Sequence, residues 1–213
     1  MHGLEDVQNR PSMYIGNTDD GSGLHRMLFE VVDNAINEAL AGHCNRVDVT
    51  LNADGSATVR DNGRGIPTDL HPREGVSAAE LIMTYVPEGN AFPQDTRRLP
   101  DAFRGVGLAV VNALSEVLDL YVWRNGKEQF MRCRMGKPDA PIAVVGTAGQ
   151  PDGNRRRGTE ITFRPSGKIF AKTEFDFTTI EHRLRGLAYL NVGATVALGD
   201  RRGFESKEVI FDL

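Results

Sequence analysis

Apolar side chains recur every three or four positions between residues 23 and 41. Leu24, Met27, Leu28, Val31, Val32, Ile36, Ala39 and Leu40 make one stripe, the spacing that puts them on a single face of an α-helix. Gly42 follows where a helix C-terminus favours glycine, and the opposite face is polar: Arg26, Glu30, Asn34, Asn37 and Glu38. The period then shortens to two. Val47–Leu51 and Ser56–Arg60 alternate around Asn52-Ala-Asp-Gly55, which predicts a hairpin. Asp61-Asn-Gly-Arg-Gly-Ile-Pro67 breaks the second strand. Ser77-Ala-Ala-Glu80 has the spacing of a capping box and predicts a second helix through Leu81, Ile82 and Met83. Pro87 to Phe103 has three prolines and no period, so it reads as a long loop, of a length that often serves as a lid. Gly105-Val-Gly107 opens a third helix over Leu108–Glu116.

The second half is rich in strands. Leu118–Arg124 and Gln129–Met135 flank Asn125-Gly126, a second hairpin signal, and Ile142–Val145 and Thr159–Arg164 are further strands. A helix is expected from Thr179 to Leu190, opened by Thr178-x-x-Glu181. Ala194–Leu198 and Glu208–Phe211 then pair across the Gly199–Gly203 turn. Helices mixed with hairpin-linked strands, without regular βαβ alternation, predict an α+β two-layer sandwich with helices on one face of a largely antiparallel sheet.

Composition narrows the classes. The 213 residues fit one large domain, and 40% hydrophobic with 25% charged residues builds a core without staples. A net charge of −4 argues against a broad grip on a phosphate backbone. Cys44 and Cys133 lie far apart with no CxxC spacing, and the five histidines are scattered, so neither a disulfide framework nor a zinc or iron site is expected. No apolar run approaches the roughly 18 residues that cross a bilayer, and no apolar signal segment stands at the N-terminus; the expected compartment is the cytoplasm, with no membrane partner. The abrupt Met1-His2 start suggests an engineered start, and the end in a strand-like run suggests a fragment cut from a longer chain. Trp123 is expected in the core, and Arg155-Arg156-Arg157 in a solvated loop.

Three short patterns carry chemistry. Glu30 and Asn34 are four apart on the helix and share a face. The carboxylate can take a proton from a water, and the amide oxygen can bind a magnesium ion that keeps several waters. Asp61-x-Gly-x-Gly65 follows a strand directly; Asp61 can accept a hydrogen bond from an exocyclic amine, and the glycines let backbone approach a flat ring. Gly105-Val-Gly107 ahead of a helix exposes N–H groups to an anion. Each alone has an ordinary reading: a solvated polar face, a tight turn, a loop-to-helix junction. There is no Walker A loop, and no strand leads straight into a GxGxxG.

Their order says more. A helix with E-x-x-x-N, then D-x-G-x-G after a hairpin, a long lid, G-x-G opening a helix and a late Gly-Thr strand resembles the GHKL ATPases, the family of gyrase, the heat-shock chaperone, MutL and the histidine kinases. Arg10-Pro-Ser-Met-Tyr-Ile-Gly16, Phe29-Glu-Val-Val-Asp-Asn-Ala-Ile36, Glu38-Ala-Leu-Ala-Gly-His43, His71-Pro-Arg-Glu-Gly-Val-Ser77 and Val110-Val-Asn-Ala-Leu-Ser115 are similar to the ATPase subunits of type IIA topoisomerases. Met13-Tyr-Ile-Gly16 and Asp33-Asn-Ala-Ile36 favour the gyrase type over the topoisomerase IV type. The resemblance runs through nearly the whole chain.

It implies a mostly antiparallel mixed sheet of eight strands, in a single ATP-binding domain over residues 1–213 that lacks the family's N-terminal arm and transducer domain. It implies ATP and Mg²⁺ as cofactors, Glu30 as general base and Asn34 as metal ligand. Asp61 would bind the adenine amino group, with Thr159 supporting through a bridging water. Gly65, Ile66, Pro67, Ile82 and Met83 would line the base pocket. Arg64 would lie over its mouth, paired with Glu38. Gly105, Val106 and Gly107 would meet the phosphates. Arg124 would stand at the outer edge, where aminocoumarin-type inhibitors reach. In the whole protein, ATP would drive self-dimerisation, DNA strand passage and negative supercoiling together with the gyrase A protein; the fragment would bind ATP, turn it over weakly and stay monomeric. A nucleotide-gated clamp with little hydrolysis is the alternative. Some residues depart from the family's pattern. Gly89-Asn-Ala-Phe92 has no lid lysine, and Asp101-Ala-Phe-Arg104 replaces Gly-Gly-Leu-His, leaving Arg97, Arg98 or Arg104 as substitutes. Arg26 stands four before Glu30, where it would weaken the base. Asn37 and Asn62 stand where acids are usual.

Overall fold

A computed structural model describes residues 2–72, 74–86, 106–149, 156–187 and 193–212. Two short helices, α1 (His2–Asn9) and α2 (Ser12–Ile15), lead into the long α3 (Ser22–Leu40). The hairpin β1 (Arg46–Leu51) and β2 (Ala57–Asp61) follows, then α4 (Ala78–Thr84) and α5 (Gly107–Leu114). Next come β3 (Ser115–Arg124), β4 (Lys127–Arg134), β5 (Lys137–Pro138), β6 (Ala143–Thr147) and β7 (Gly158–Pro165). The order ends with α6 (Phe177–Leu187), β8 (Thr195–Asp200) and β9 (Lys207–Asp212).

The strands form one sheet in the order β5-β4-β3-β7-β2-β1-β8-β9, with β6 also pairing β4. Among the described residues that is nine strands rather than the expected eight; the addition is the two-residue β5, too short for any periodic signal. All pairings are antiparallel except β1 with β8. The expected α+β sandwich therefore holds, with the mixed sheet coming from a single parallel pair.

Strand alternation decides which side chains face the helices. Val47, Val49 and Leu51 of β1, Val59 of β2, Leu118, Leu120 and Val122 of β3, and Ile161 and Phe163 of β7 are all buried. The α3 stripe packs with them into one core, including Leu24, Met27, Leu28, Val31, Val32, Ala35, Ile36 and Ala39. Leu40, expected in that stripe, is 57% exposed at the helix end. The same alternation carries Asp61 and Thr159 onto the helix-facing side. Asp61 continues the parity of Ala57 and Val59, and Thr159 that of Ile161 and Phe163. Two polar side chains thus end up buried at neighbouring strand ends under the helices.

Local chemistry sets the helix ends. Ser77 Oγ accepts from the Glu80 N–H at 3.1 Å and Glu80 Oε2 accepts from the Ser77 N–H at 3.0 Å, the reciprocal cap read from sequence. α5 stops at Leu114, two residues short of the expected Glu116, because Ser115 is already extended; its hydroxyl donates to the Val111 carbonyl at 2.6 Å. α6 starts at Phe177, where Asp176 Oδ1 accepts from the Thr179 N–H at 2.7 Å. Thr178 and Glu181 therefore do not cap it; Glu181 pairs with Arg185 instead. α1 and α2 are too short to show a period, yet Leu4, Val7 and Ile15 are buried. No helix among the described residues is long and apolar enough to cross a membrane.

Candidate functional site

Asp61 closes β2 and is 3% exposed. Its Oδ1 accepts from the Gly63 N–H at 2.8 Å. Burial pushes its carboxyl up to about 6, against hydrogen bonds from Gly63 and from the backbone and hydroxyl of Thr159 that pull the other way; the nearby Glu38 adds to the rise. Thr159 does double duty, since its hydroxyl oxygen also accepts from the Ile66 N–H at 3.1 Å. The loop between them is built around glycine. A side chain at Gly63 would start 2.8 Å from Asp61 Oδ1 and 2.9 Å from Glu38 Oε2. Gly65 has φ +78°, and a Cβ there would lie 3.0 Å from the Gly158 carbonyl oxygen, so the backbone conformation and the close approach both require glycine.

Glu38 and Arg124 also hold this loop. Glu38, on α3, accepts from the Arg64 N–H at 3.0 Å, from Arg64 Nε at 3.2 Å and from Nη2 at 2.7 Å. Burial pushes the Glu38 carboxyl up, but the Arg64 hydrogen bonds and charge outweigh it and hold it below the usual range. Arg124, at the end of β3, donates from Nη1 to the Gly65 carbonyl at 2.9 Å and to the Arg64 carbonyl at 3.3 Å. It is thus bound to the loop, not merely placed near its edge.

Glu30 and Asn34 lie earlier on α3, one turn apart. Asn34 is buried and Glu30 half-buried. A Cβ on Gly107 would strike Glu30 Oε2 and lie 3.2 Å from Glu30 Cβ, so the start of α5 rests directly on the candidate base. Arg26 does pair with Glu30, Nε to Oε1 at 3.6 Å. Arg26 does pull the carboxyl down, as expected, but burial outweighs it. Burial raises the Glu30 carboxyl and the neighbouring Asp33 raises it further, while Arg26 offsets only part of the effect; the net displacement is upward.

The residue 61–66 loop thus meets Glu38 of α3, Arg124 of β3 and Thr159 of β7, while Gly107 of α5 meets Glu30 one turn before Asn34 on α3. A carboxylate and an amide stand on α3 by the start of α5, and a buried carboxylate with close-approach backbone stands at the end of β2. The matching family is described as histidine kinase-, DNA gyrase B- and HSP90-like ATPase, and the match runs over residues 19–169. The chain belongs to that family. The DNA gyrase B protein of Rickettsia felis is 54% identical over 211 residues, 99% of this chain and 26% of that protein. Its counterpart from Caulobacter vibrioides is 53% identical over 213 residues, 98% of this chain and 26% of that protein. The counterpart from Synechocystis is 47% identical over 212 residues, 99% of this chain and 19% of that protein. The chain therefore spans about a quarter or less of the length of these relatives. Among solved structures, the 43K ATPase domain of Thermus thermophilus gyrase B in complex with an aminocoumarin superposes with a TM-score of 0.82 at 42% identity, covering 98% of this chain and 51% of that one.

Within this family fold the remaining expected residues fall as follows. Ile66, Ile82 and Met83 are buried in the common core, Pro67 is half-buried and Val106 packs against the core from its edge. Asn112 of α5 ties α4 in place, donating to the Met83 carbonyl at 2.8 Å and the Gly136 carbonyl at 3.1 Å. Gly105, Arg97, Arg98, Arg104, the Gly89–Phe92 stretch and the rest of the expected lid lie outside the described residues, as does Arg155. Both cysteines are buried free thiols, and no group of three or more potential metal-ligating His, Cys, Asp or Glu side chains occurs among the described residues.

Two arginines of the expected solvated loop are more than solvated. Arg156 lies 3.5 Å from the centre of the Trp123 ring and pairs with Glu160 at 3.3 Å. Trp123 is buried as expected, but under Arg156 on the sheet face away from the helices rather than in the main core. Arg157 donates to the Asn62 carbonyl at 3.2 Å and the His43 carbonyl at 3.0 Å. Nothing in an Arg-Arg-Arg run signals the Arg157 grip, because its partners are backbone atoms about a hundred residues away. Asn62 shows why an amide serves in place of an acid: its Oδ1 accepts from the Asn45 and Arg46 N–H groups while its Nδ2 donates to Asn45 Oδ1.

Proposed function

We propose that this chain is a single ATP-binding domain over residues 1–213, and that it powers a type IIA DNA topoisomerase of the gyrase B type. The observation that carries the reading is Asp61: a buried carboxylate at a strand end, held by Gly63 and Thr159, beside a loop whose glycines leave room for a flat ring. Such a carboxylate accepts from the amino group of adenine. Thr159 supports it through a bridging water, while Gly65, Ile66, Pro67, Ile82 and Met83 line the base pocket. Arg64, anchored by Glu38, lies over the mouth, and Arg124 stands where an aminocoumarin-type inhibitor reaches.

On the phosphate side, Val106 and Gly107 stand at the start of α5 and would offer backbone N–H groups, with Gly105, outside the described residues, as a third. The donor set suits Mg²⁺ rather than a transition metal: Asn34 supplies one hard, neutral oxygen next to the Glu30 carboxylate, and no cluster of soft ligands stands nearby among the described residues. Asn34 would hold the ion, which when bound neutralises phosphate charge. Glu30 orients the attacking water and takes its proton, and burial makes its carboxyl a better base than an exposed one.

In the whole protein ATP would drive self-dimerisation and strand passage, with the gyrase A protein and DNA as partners, negative supercoiling as the output and the cytoplasm as the compartment. This support is the identity with gyrase B proteins through nearly the whole chain. Calorimetry with ATP tests the adenine assignment. Asp61→Asn should abolish measurable binding with the fold intact; unchanged affinity would sink it.

A further inference from the structure

A single peptide unit joins the candidate adenine-binding carboxylate to an exposed arginine on the other side of the loop. The peptide between Asn62 and Gly63 gives its N–H to Asp61 Oδ1 at 2.8 Å and its carbonyl oxygen to Arg157 Nε at 3.2 Å. Arg157 Nη2 also reaches the His43 carbonyl at 3.0 Å, in the turn after α3. The guanidinium therefore spans two backbone oxygens of separate segments, a fork that a single-point donor cannot reproduce. Its own backbone is fixed at the same place. The next residue, Gly158, has φ +114°, and a Cβ there would strike the Asp61 carbonyl oxygen. The Asn62 side chain and N–H are bonded to Asn45 and Arg46, so the 62–63 peptide itself is held by Asp61 at its N–H and by Arg157 at its oxygen.

This contact bears on recognition through Asp61. A cation at the oxygen end of a peptide polarises it, and the N–H at the other end becomes a stronger donor. Holding the peptide plane holds the rotation of the Asp61 carboxylate, and with it the direction of the lone pairs left for a ligand. We propose that Arg157 is a positioning residue for Asp61, setting through the Asn62–Gly63 peptide the carboxylate orientation that discriminates a base carrying a 6-amino group. The inference rests on the adenine reading above.

The test is calorimetry on this chain with ATP and with purine riboside triphosphate, which lacks the amino group, for wild type, R157Q, R157K and D61N. Arg157 is exposed, so its replacement spares the core; thermal melts check this. R157Q should weaken ATP binding about ten-fold, the value of one charge-assisted hydrogen bond, and leave the analogue's affinity unchanged. R157K should restore part of the difference, since it returns the charge without the fork. A preserved preference for ATP over the analogue in R157Q, or a parallel loss for both nucleotides, overturns the proposal. If D61N collapses the preference and R157Q does not, the positioning role alone fails. If D61N also leaves it intact, the adenine reading fails and the proposal with it.

Discussion

Arg64→Ala and Glu38→Gln break the same ion pair at different cost. The Glu38 side chain is 2% exposed and that of Arg64 38%. Without the Arg64 side chain, Glu38 stays buried with only the backbone N–H of residue 64, 3.0 Å away, still facing it. Stranding a buried charge costs about 3–5 kcal/mol; solvent on the arginine side and the surviving N–H bond reduce this to about 2 kcal/mol. Glu38→Gln is milder. Arg64 turns into water, the amide oxygen still accepts from the backbone, and the loss is about 1 kcal/mol. Acid separates the two cases. In the wild type the folded Glu38 carboxyl is held below its ordinary value of 4.5, so its stability contribution is present above that pH and lost as pH falls through the folded value. In Arg64→Ala burial is opposed by much less, chiefly the surviving backbone N–H, and the carboxyl moves up, so Glu38 takes a proton on acidification and the penalty shrinks. Urea unfolding at pH 7 and pH 4.5 reads both effects. Arg64→Ala should be the less stable variant by about 1 kcal/mol at pH 7, with the gap narrowing at pH 4.5. Equal costs, or a gap that ignores pH, would refute the reasoning.

Two further outcomes follow from the site. The Asp61 carboxyl lies at about 6 in the free chain, and the accepting form is the ionised one, so ATP affinity should hold above that pH and fall as pH drops through it, approaching ten-fold per unit; a profile flat from pH 5 to 8 would contradict this. Gly107→Ala places a methyl group against the Glu30 carboxylate. It should cut steady-state hydrolysis by the longer protein at least about ten-fold while leaving the unfolding midpoint nearly unchanged; full turnover would show that Glu30 is not in place as the base.

Much of the fold is legible in the sequence because its signals are local. The α3 stripe, the β1–β2 and β3–β4 turns and the Ser77 cap are each set by residues within one turn of each other. The end of α5 and the start of α6 depart from the sequence reading because Ser115 and Asp176 act through single hydrogen bonds that compete with broader patterns. For the candidate site, Glu30, Asn34, Asp61 and the glycines stand out by type and spacing. What spacing cannot show is burial. The upward displacement of Glu30 despite Arg26, and of Asp61 despite its hydrogen bonds, follows from packing between α3, α5 and three strand ends. The grips of Arg124 and Arg157 are hidden for a related reason: both hold carbonyl oxygens, which every residue possesses.

The central claim is that the nucleotide lies between Asp61 and the start of α5. A crystal structure of this chain with a non-hydrolysable ATP analogue and Mg²⁺ tests it most directly. The account predicts the adenine amino group within hydrogen-bonding distance of the Asp61 carboxylate, the metal on Asn34 and the phosphates over the Val106–Gly107 backbone. A base bound away from Asp61, with the phosphates away from α5, would contradict it.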